Sequence, residues 1–226
     1  MTKEAKDKDV ENATRLLKGA YSIETPQDSV KYYREFASLY DEQYAGQLGY
    51  IYPSMLADVY SASALVTDIP ILDIGCGTGL VAQSLIDKGL NSQKIDGLDI
   101  SAEMLQSAAK KKLYRNLFEA DLTRGTELTS TYGAIVSAGT FTFGHLGPEV
   151  LPELLSLGKT DTLYCIGVNS AFYEQQGFKS ALDTMEAEQL ITKPDAKVTE
   201  IYLQNKSNAD RAHAKDTATV LVYRQK

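Results

Sequence analysis

The 226-residue chain has no tryptophan, only two cysteines and only two histidines. Cys76 and Cys165 are far apart and form no C-x-x-C pair, which disfavours a disulfide framework and a structural zinc site. With so few histidines a metal-built active site would need mainly carboxylates, and no metal is expected. No stretch approaches the roughly 18 consecutive apolar residues of a membrane span. Met1 to Ala20 alternates charges and lacks the apolar core of a secretory signal, so a cytoplasmic protein without membrane partners is expected. Basic residues are in deficit, 23 Lys and Arg against 30 Asp and Glu, and the net charge of −7 gives no nonspecific attraction to nucleic acid. What is present is ordinary for a globular chain, 43% hydrophobic and 23% charged, and its length suits one α/β domain with a small appendage.

Residues 1–25 are polar and read as a flexible or weakly helical extension, with Asn12 to Leu17 the only helical hint. Residues 26–65 read as a helical cap. Pro26 and Asp28 open a helix running to about Tyr44, with Tyr32, Phe36, Tyr40 and Tyr44 at i, i+4 on one face. Pro53 opens a second helix through Leu56 and Tyr60. From residue 66 to 226 the texture is that of a core domain. Strands are expected at Ile71–Ile74, Lys94–Ile100, Asn116–Ala120, Ala134–Ser137, Thr162–Val168, Lys197–Leu203 and Thr217–Tyr223. Helices alternate with them up to about residue 190, the last marked by Leu182, Met185 and Leu190. Such alternation predicts βαβ units and a mostly parallel sheet.

The strongest chemical signal is Asp73-Ile74-Gly75-Cys76-Gly77-Thr78-Gly79, placed between a strand and a helix. Glycines there permit positive φ and close approach of a ligand, and the helix start offers free N–H groups. A dinucleotide fingerprint needs a third glycine three residues after Gly77, where this chain has Leu80. The spacing is instead G-x-G-x-G with an acid two residues ahead, and it resembles the first motif of class I S-adenosylmethionine (SAM)-dependent methyltransferases.

That resemblance extends along most of the chain. It implies a Rossmann-like seven-stranded sheet, the last strand antiparallel and inserted between the fifth and sixth. Helices cover both faces and an N-terminal helical cap lies over the site. It implies that Gly75, Cys76, Gly77 and Gly79 cradle SAM, with S-adenosylhomocysteine (SAH) as product, and that Asp73 binds it or organises the loop. Asp99, twenty residues after Gly79, would accept the ribose hydroxyls, and Asp121 the adenine amine. Ile100 and Met104 would pack on adenine, and Leu122 and Ser137 complete the implied cofactor set. Tyr40 and Tyr44 would reach the cofactor from the cap.

More narrowly, Ser137 to Gly147 and Tyr40-Asp41-Glu42-Gln43-Tyr44 resemble the Williams–Beuren syndrome region 27 methyltransferase-like group. Two departures stand out: Tyr132-Gly133 where the family usually carries an acid, and Leu157-Gly158-Lys159-Thr160 in place of a glycine-rich turn.

The acceptor is expected above the carboxyl ends of strands four and five, where residues 137–148, 169–177 and 205–216 converge in the implied topology. His145 is the expected general base, because histidine titrates near neutrality; His213 is a weaker candidate. Phe143, Asn169 and Tyr173 would line the acceptor pocket with His145. The chain lacks the Asn/Asp-Pro-Pro-aromatic motif and the Pro-Cys pair of nucleic-acid methylating enzymes, which favours a small-molecule methyl acceptor and no nucleic acid. Competing readings are a SAM-binding sensor without transferase activity and, with less support, an NAD-dependent oxidoreductase. A monomer or homodimer is expected.

Overall fold

The computed structural model describes residues 15–23, 25–37, 39–128, 132–203, 213 and 215–226. Seven strands form one sheet: β1 (Ile71–Ile74), β2 (Ile95–Asp99), β3 (Asn116–Glu119), β4 (Tyr132–Phe141), β5 (Gly158–Asn169), β6 (Asp195–Glu200) and β7 (Thr217–Arg224). Their order is β3-β2-β1-β4-β5-β7-β6. The first five pair in parallel, and β7 runs antiparallel to both neighbours, β5 and β6. This is the implied seven-stranded arrangement. Strand order reverses between β1 and β4, so a crevice opens beyond their carboxyl ends.

Side-chain alternation divides the core into two layers. Ile71, Ala134, Val136 and Val220 join the layer that α2 (Tyr52–Ser63) and α3 (Leu80–Asp87) cover with Leu56, Val81 and Leu85. Leu72, Ile135 and Leu221 face the other way, against α5 (Leu151–Leu157) and α7 (Phe178–Ala187). Burial on both faces explains the continuous apolar runs of the central strands. Each fully buried Leu or Ile contributes about 1.5–3 kcal/mol.

Local punctuation follows the sequence closely in the first half of the domain. Gly89, at φ +97°, ends α3, with its N–H on the Ile86 carbonyl and that of Leu90 on Leu85. The Ser101 hydroxyl caps α4 (Ala102–Lys111) by accepting from the Met104 N–H.

Elsewhere the structure differs from the sequence reading. The helix of the cap, α1 (Pro26–Phe36), starts under a Thr25 cap but stops at Phe36, and Tyr40–Gly46 is a π-helical turn. Tyr32 and Phe36 stack as expected, at 5.0 Å between ring centroids, whereas Tyr40 meets Tyr33 at 6.0 Å. The α-helix ends before Tyr40, so no single helix carries the i, i+4 spacing from Tyr32 to Tyr44. Residues 15–21 are also helical and bury Leu16 and Leu17 in the core. β4 and β5 are each longer than expected, a short helix α6 (Ser170–Gln175) follows β5, and Leu190 lies beyond α7 and is exposed. Among the described residues no helix is long and apolar enough to cross a membrane, and no cluster of His, Cys, Asp and Glu could hold a metal.

The Tyr132-Gly133 departure has a local cause. A Cβ at Gly133 would overlap the backbone of Ile69. The Tyr132 hydroxyl donates to the buried Asp96 carboxylate at 3.0 Å, which also accepts a forked pair from Arg115 at 2.9 and 2.6 Å.

A second fork ties β7 to the entry of β1. Arg224 donates to both oxygens of buried Asp68, at 3.0 and 2.7 Å. Breaking a buried pair from one side strands a charge, though water reaches the edge of this one. Arg224→Ala is expected to lower the free energy of unfolding by about 2 kcal/mol, measured by urea denaturation, with the slope of the transition unchanged.

Candidate active site

The loop after β1 is held from both sides. Gly75, Gly77 and Gly79 take φ of +62°, +52° and +94°, the left-handed region that glycine alone enters without strain. At Gly75 the constraint is also spatial, since a Cβ would overlap the Thr140 side chain on β4. Toward β2, the Cys76 N–H donates to the Leu98 carbonyl at 3.0 Å and the Gly77 N–H to Asp99 Oδ2 at 2.8 Å. Asp99 Oδ1 accepts from the Ser101 N–H at 2.8 Å. Burial raises the Asp99 pKa even though these backbone donors oppose it.

Beyond this loop lies a cavity at the carboxyl end of the sheet. Gly75, Cys76 and Gly77 line it from the loop, Asp99, Ile100 and Met104 from the end of β2 and the start of α4, and Asp121 and Leu122 from the end of β3. Asp121 accepts from the N–H and hydroxyl of Thr123 at 3.0 and 2.6 Å. Its other oxygen, Oδ2, pairs with Arg124 at 3.3 Å, and a carboxylate so engaged still has an acceptor site unused.

Four other sequence candidates stand outside the walls. Gly79 caps α3 and sits close under Leu113 and Tyr114. Asp73 is fully buried beneath the loop, where Oδ2 accepts from the Tyr114 hydroxyl at 2.7 Å and Oδ1 has no partner among the described residues. Burial pushes its pKa up to about 7. Ser137 is buried and donates to the Ile74 carbonyl at 2.8 Å, bracing β4 on β1. Tyr173 stacks on Phe178 at 6.1 Å, away from the crevice.

A second cavity adjoins the first, and Tyr33, Tyr40, Tyr50, Gly139 and His145 line both. Phe143 and Asn169 line the second, with Tyr21, Tyr52, Phe141 and Tyr202. Tyr44 belongs to the backbone of the π turn; its side chain lies outside the described residues. Most of the 205–216 connection also lies outside them. His213, from that connection, bonds Asp216 at 3.0 Å and stacks behind Tyr21.

Sequence reasoning missed Tyr33, Tyr50, Tyr52 and Tyr202. The one available signal was the density of tyrosines, 14 in the chain, crowded between residues 32 and 60. It also missed Asp41, which accepts from the Thr78 hydroxyl at 2.6 Å and pairs with Lys111, latching the cap to the glycine loop and α4.

His145 sits where the cavities join. Nδ1 lies 3.0 Å from the Phe143 carbonyl, which only accepts, so Nδ1 carries the proton. Nε2 is left as an acceptor, 3.5 Å from the Tyr33 hydroxyl. Burial lowers the His145 pKa, so the ring is neutral at pH 7.

Residues 71–159 match a family model described as a methyltransferase domain. The chain is 29% identical over 184 residues to human methyltransferase-like protein 27, covering 75% of this chain and 71% of that one. It is 21% identical over 155 residues to a ubiquinone biosynthesis O-methyltransferase of Rickettsia felis, covering 60% of this chain and 64% of that one. Among solved structures, the plantazolicin methyltransferase BpumL in complex with SAH has the same fold, at a TM-score of 0.57 and 16% identity, over 99% of this chain and 98% of that one.

Asp73 makes stability pH-dependent. Its folded pKa of about 7 lies above the ordinary 3.8, so the folded state holds a proton that the unfolded state has released. Its contribution is therefore fully present below 3.8 and is lost as pH rises toward 7. Asp73→Asn keeps an acceptor for Tyr114 and removes this loss. Urea denaturation at pH 5 and pH 8 is expected to show a smaller drop for the variant than for the parent chain.

Proposed function

We propose that this chain, which carries a class I SAM-dependent methyltransferase domain, moves the methyl group by in-line displacement to a small molecule held in the aromatic cavity. The observation that carries this reading is the shared wall: two cavities meet at Tyr33, Tyr40, Tyr50, Gly139 and His145. In-line transfer needs the acceptor atom behind the methyl carbon, on the side away from sulfur. Adjoining cavities support that relation for the two ligands.

The residues of the first cavity suit the cofactor. Asp99 accepts from the backbone N–H groups of Gly77, Ser101 and Ile100 and retains acceptor capacity for the ribose hydroxyls. Asp121 stands one strand further out, where an exocyclic amine would donate to it, and Ile100 and Met104 supply apolar faces for a base. The left-handed glycines bring backbone rather than side chains to the methionine end. SAM supplies a methyl group already activated by its sulfonium, so the protein needs to align, dehydrate and, for some acceptors, deprotonate. Tyr33, Tyr40 and Tyr50 wall the junction, and His145 Nε2 is an acceptor placed to take a proton. A recessed second cavity walled by side chains, rather than an extended groove, favours a small molecule over a polymer.

Calorimetric titration with SAM, SAH and NAD in parallel tests the cofactor half. Micromolar binding of the first two, with none to NAD, is the expected outcome. NAD binding without SAM binding would refute it. Asp99→Ala is expected to weaken SAH binding at least about tenfold, since a charged acceptor worth roughly 1.5–3 kcal/mol is lost.

A further inference from the structure

We infer that the methyl acceptor is an uncharged aromatic ring bearing a free hydroxyl, and that His145 is the catalytic residue that receives the hydroxyl proton. The inference rests on the assignment of the second cavity to the acceptor.

The shape of that cavity comes from rings. Tyr21, Tyr33, Tyr50, Tyr52, Phe141 and Tyr202 surround it, drawn from segments far apart in the chain. Flat aromatic walls favour a flat apolar ligand through stacked and edge contacts. Among the described residues no Asp, Glu, Lys or Arg lines it. Against the described residues, a carboxylate or phosphate entering would lose its hydration with no counter-charge. The rings alone would attract an ammonium group. A protonated amine, however, has no lone pair with which to accept a methyl group.

Two polar side chains of the cavity have unused capacity. His145 Nε2 is an acceptor, only loosely approached by the Tyr33 hydroxyl at 3.5 Å. Asn169 spends Oδ1 on the Phe172 N–H at 3.1 Å, which leaves its amide N–H groups as donors. One acceptor and one amide donor match a ring with a hydroxyl to donate and a second oxygen to accept.

Chemistry selects oxygen as the methylated atom. A neutral amine or a thiolate needs no base, but a hydroxyl does, and the base stands at the junction with the cofactor cavity. The hydroxyl oxygen forms the new O–C bond as the C–S electron pair returns to sulfur. The hydroxyl proton passes to Nε2 and thence to solvent, leaving SAH and a methyl ether.

The test compares methyl 4-hydroxybenzoate with 4-hydroxybenzoate and methyl 4-aminobenzoate, by calorimetric binding to the protein–SAH complex and by methyl transfer from SAM. The neutral phenol is expected to bind at least tenfold more tightly than the carboxylate and to be methylated on its ring oxygen. His145→Gln should keep the urea midpoint of the parent chain, showing that it folds, and lose about 100-fold in kcat on that phenol. The loss should shrink with 4-nitrophenol, whose hydroxyl already ionises near neutrality; a merely structural role would reduce both rates alike. Tighter binding of the carboxylate, methylation of the amine in preference, equal losses on the two phenols, or no binding of any phenol to the SAH complex would each overturn the proposal. Failure of SAH itself to bind the parent chain would instead remove the cofactor assignment beneath it, and the proposal with it.

Discussion

A single carboxylate, that of Asp99, joins the parts on which the site depends. One oxygen accepts from the Gly77 N–H in the loop after β1, the other from the Ser101 N–H at the start of α4. The loop, the end of β2 and the next helix are thereby fixed to one another at the strand-order reversal. On the opposite side the loop closes against Thr140, so that no side chain fits at Gly75. Asp99 thus serves architecture before it serves a ligand. Its raised pKa records the cost of burial, and its backbone donors are the part of the fold that offsets that cost. A nucleoside hydroxyl would add to an acceptor already held in place, which is what preorganisation means in physical terms.

The first half of the domain was legible because its determinants are local. A strand running into glycines, a helix closed by Gly89 and another opened by Ser101 each depend on residues within one or two turns. The cap was less legible. The i, i+4 reading of Tyr32 and Phe36 holds, then fails at Tyr40, where the chain winds into a π turn. A π turn is set by what the segment packs against, here Thr78 and Lys111 through Asp41, and neither is near in sequence. The ends of β4 and β5 were misjudged for a related reason. Their pairing slips register between Ser137 and Phe141, and only the partner strand determines where such pairing stops.

At the site, sequence motifs located segments better than side-chain directions. Asp73 and Ser137 lie in the expected stretches, yet one turns beneath the loop to Tyr114 and the other back to the Ile74 carbonyl. Asp99, Asp121 and His145 were legible because each stands at a strand end or in the turn beyond, where the chain leaves the sheet and its side chain meets the crevice. Tyr33, Tyr50 and Tyr202 carry no such mark. A tyrosine on a helix or beside a bridge packs inward or outward according to its neighbours, and single-sequence periodicity does not report those.

The two halves of the site are built from different materials, and this bears on how they work. The first cavity is made of backbone N–H groups, glycine turns and strand-end carboxylates, so its geometry follows from the fold. The second is walled by side chains from residues 20 to 202, several of them on helices and loops rather than strands. Tyr33, Tyr40 and Tyr50 belong to both. The cap residues that wall the first cavity therefore wall the second as well, and Asp41 ties the cap to Thr78 and Lys111. Joining them has a chemical consequence. Ligands seated in the two cavities would share those walls, so a reactive group at the junction would be covered by the same residues that border its partner.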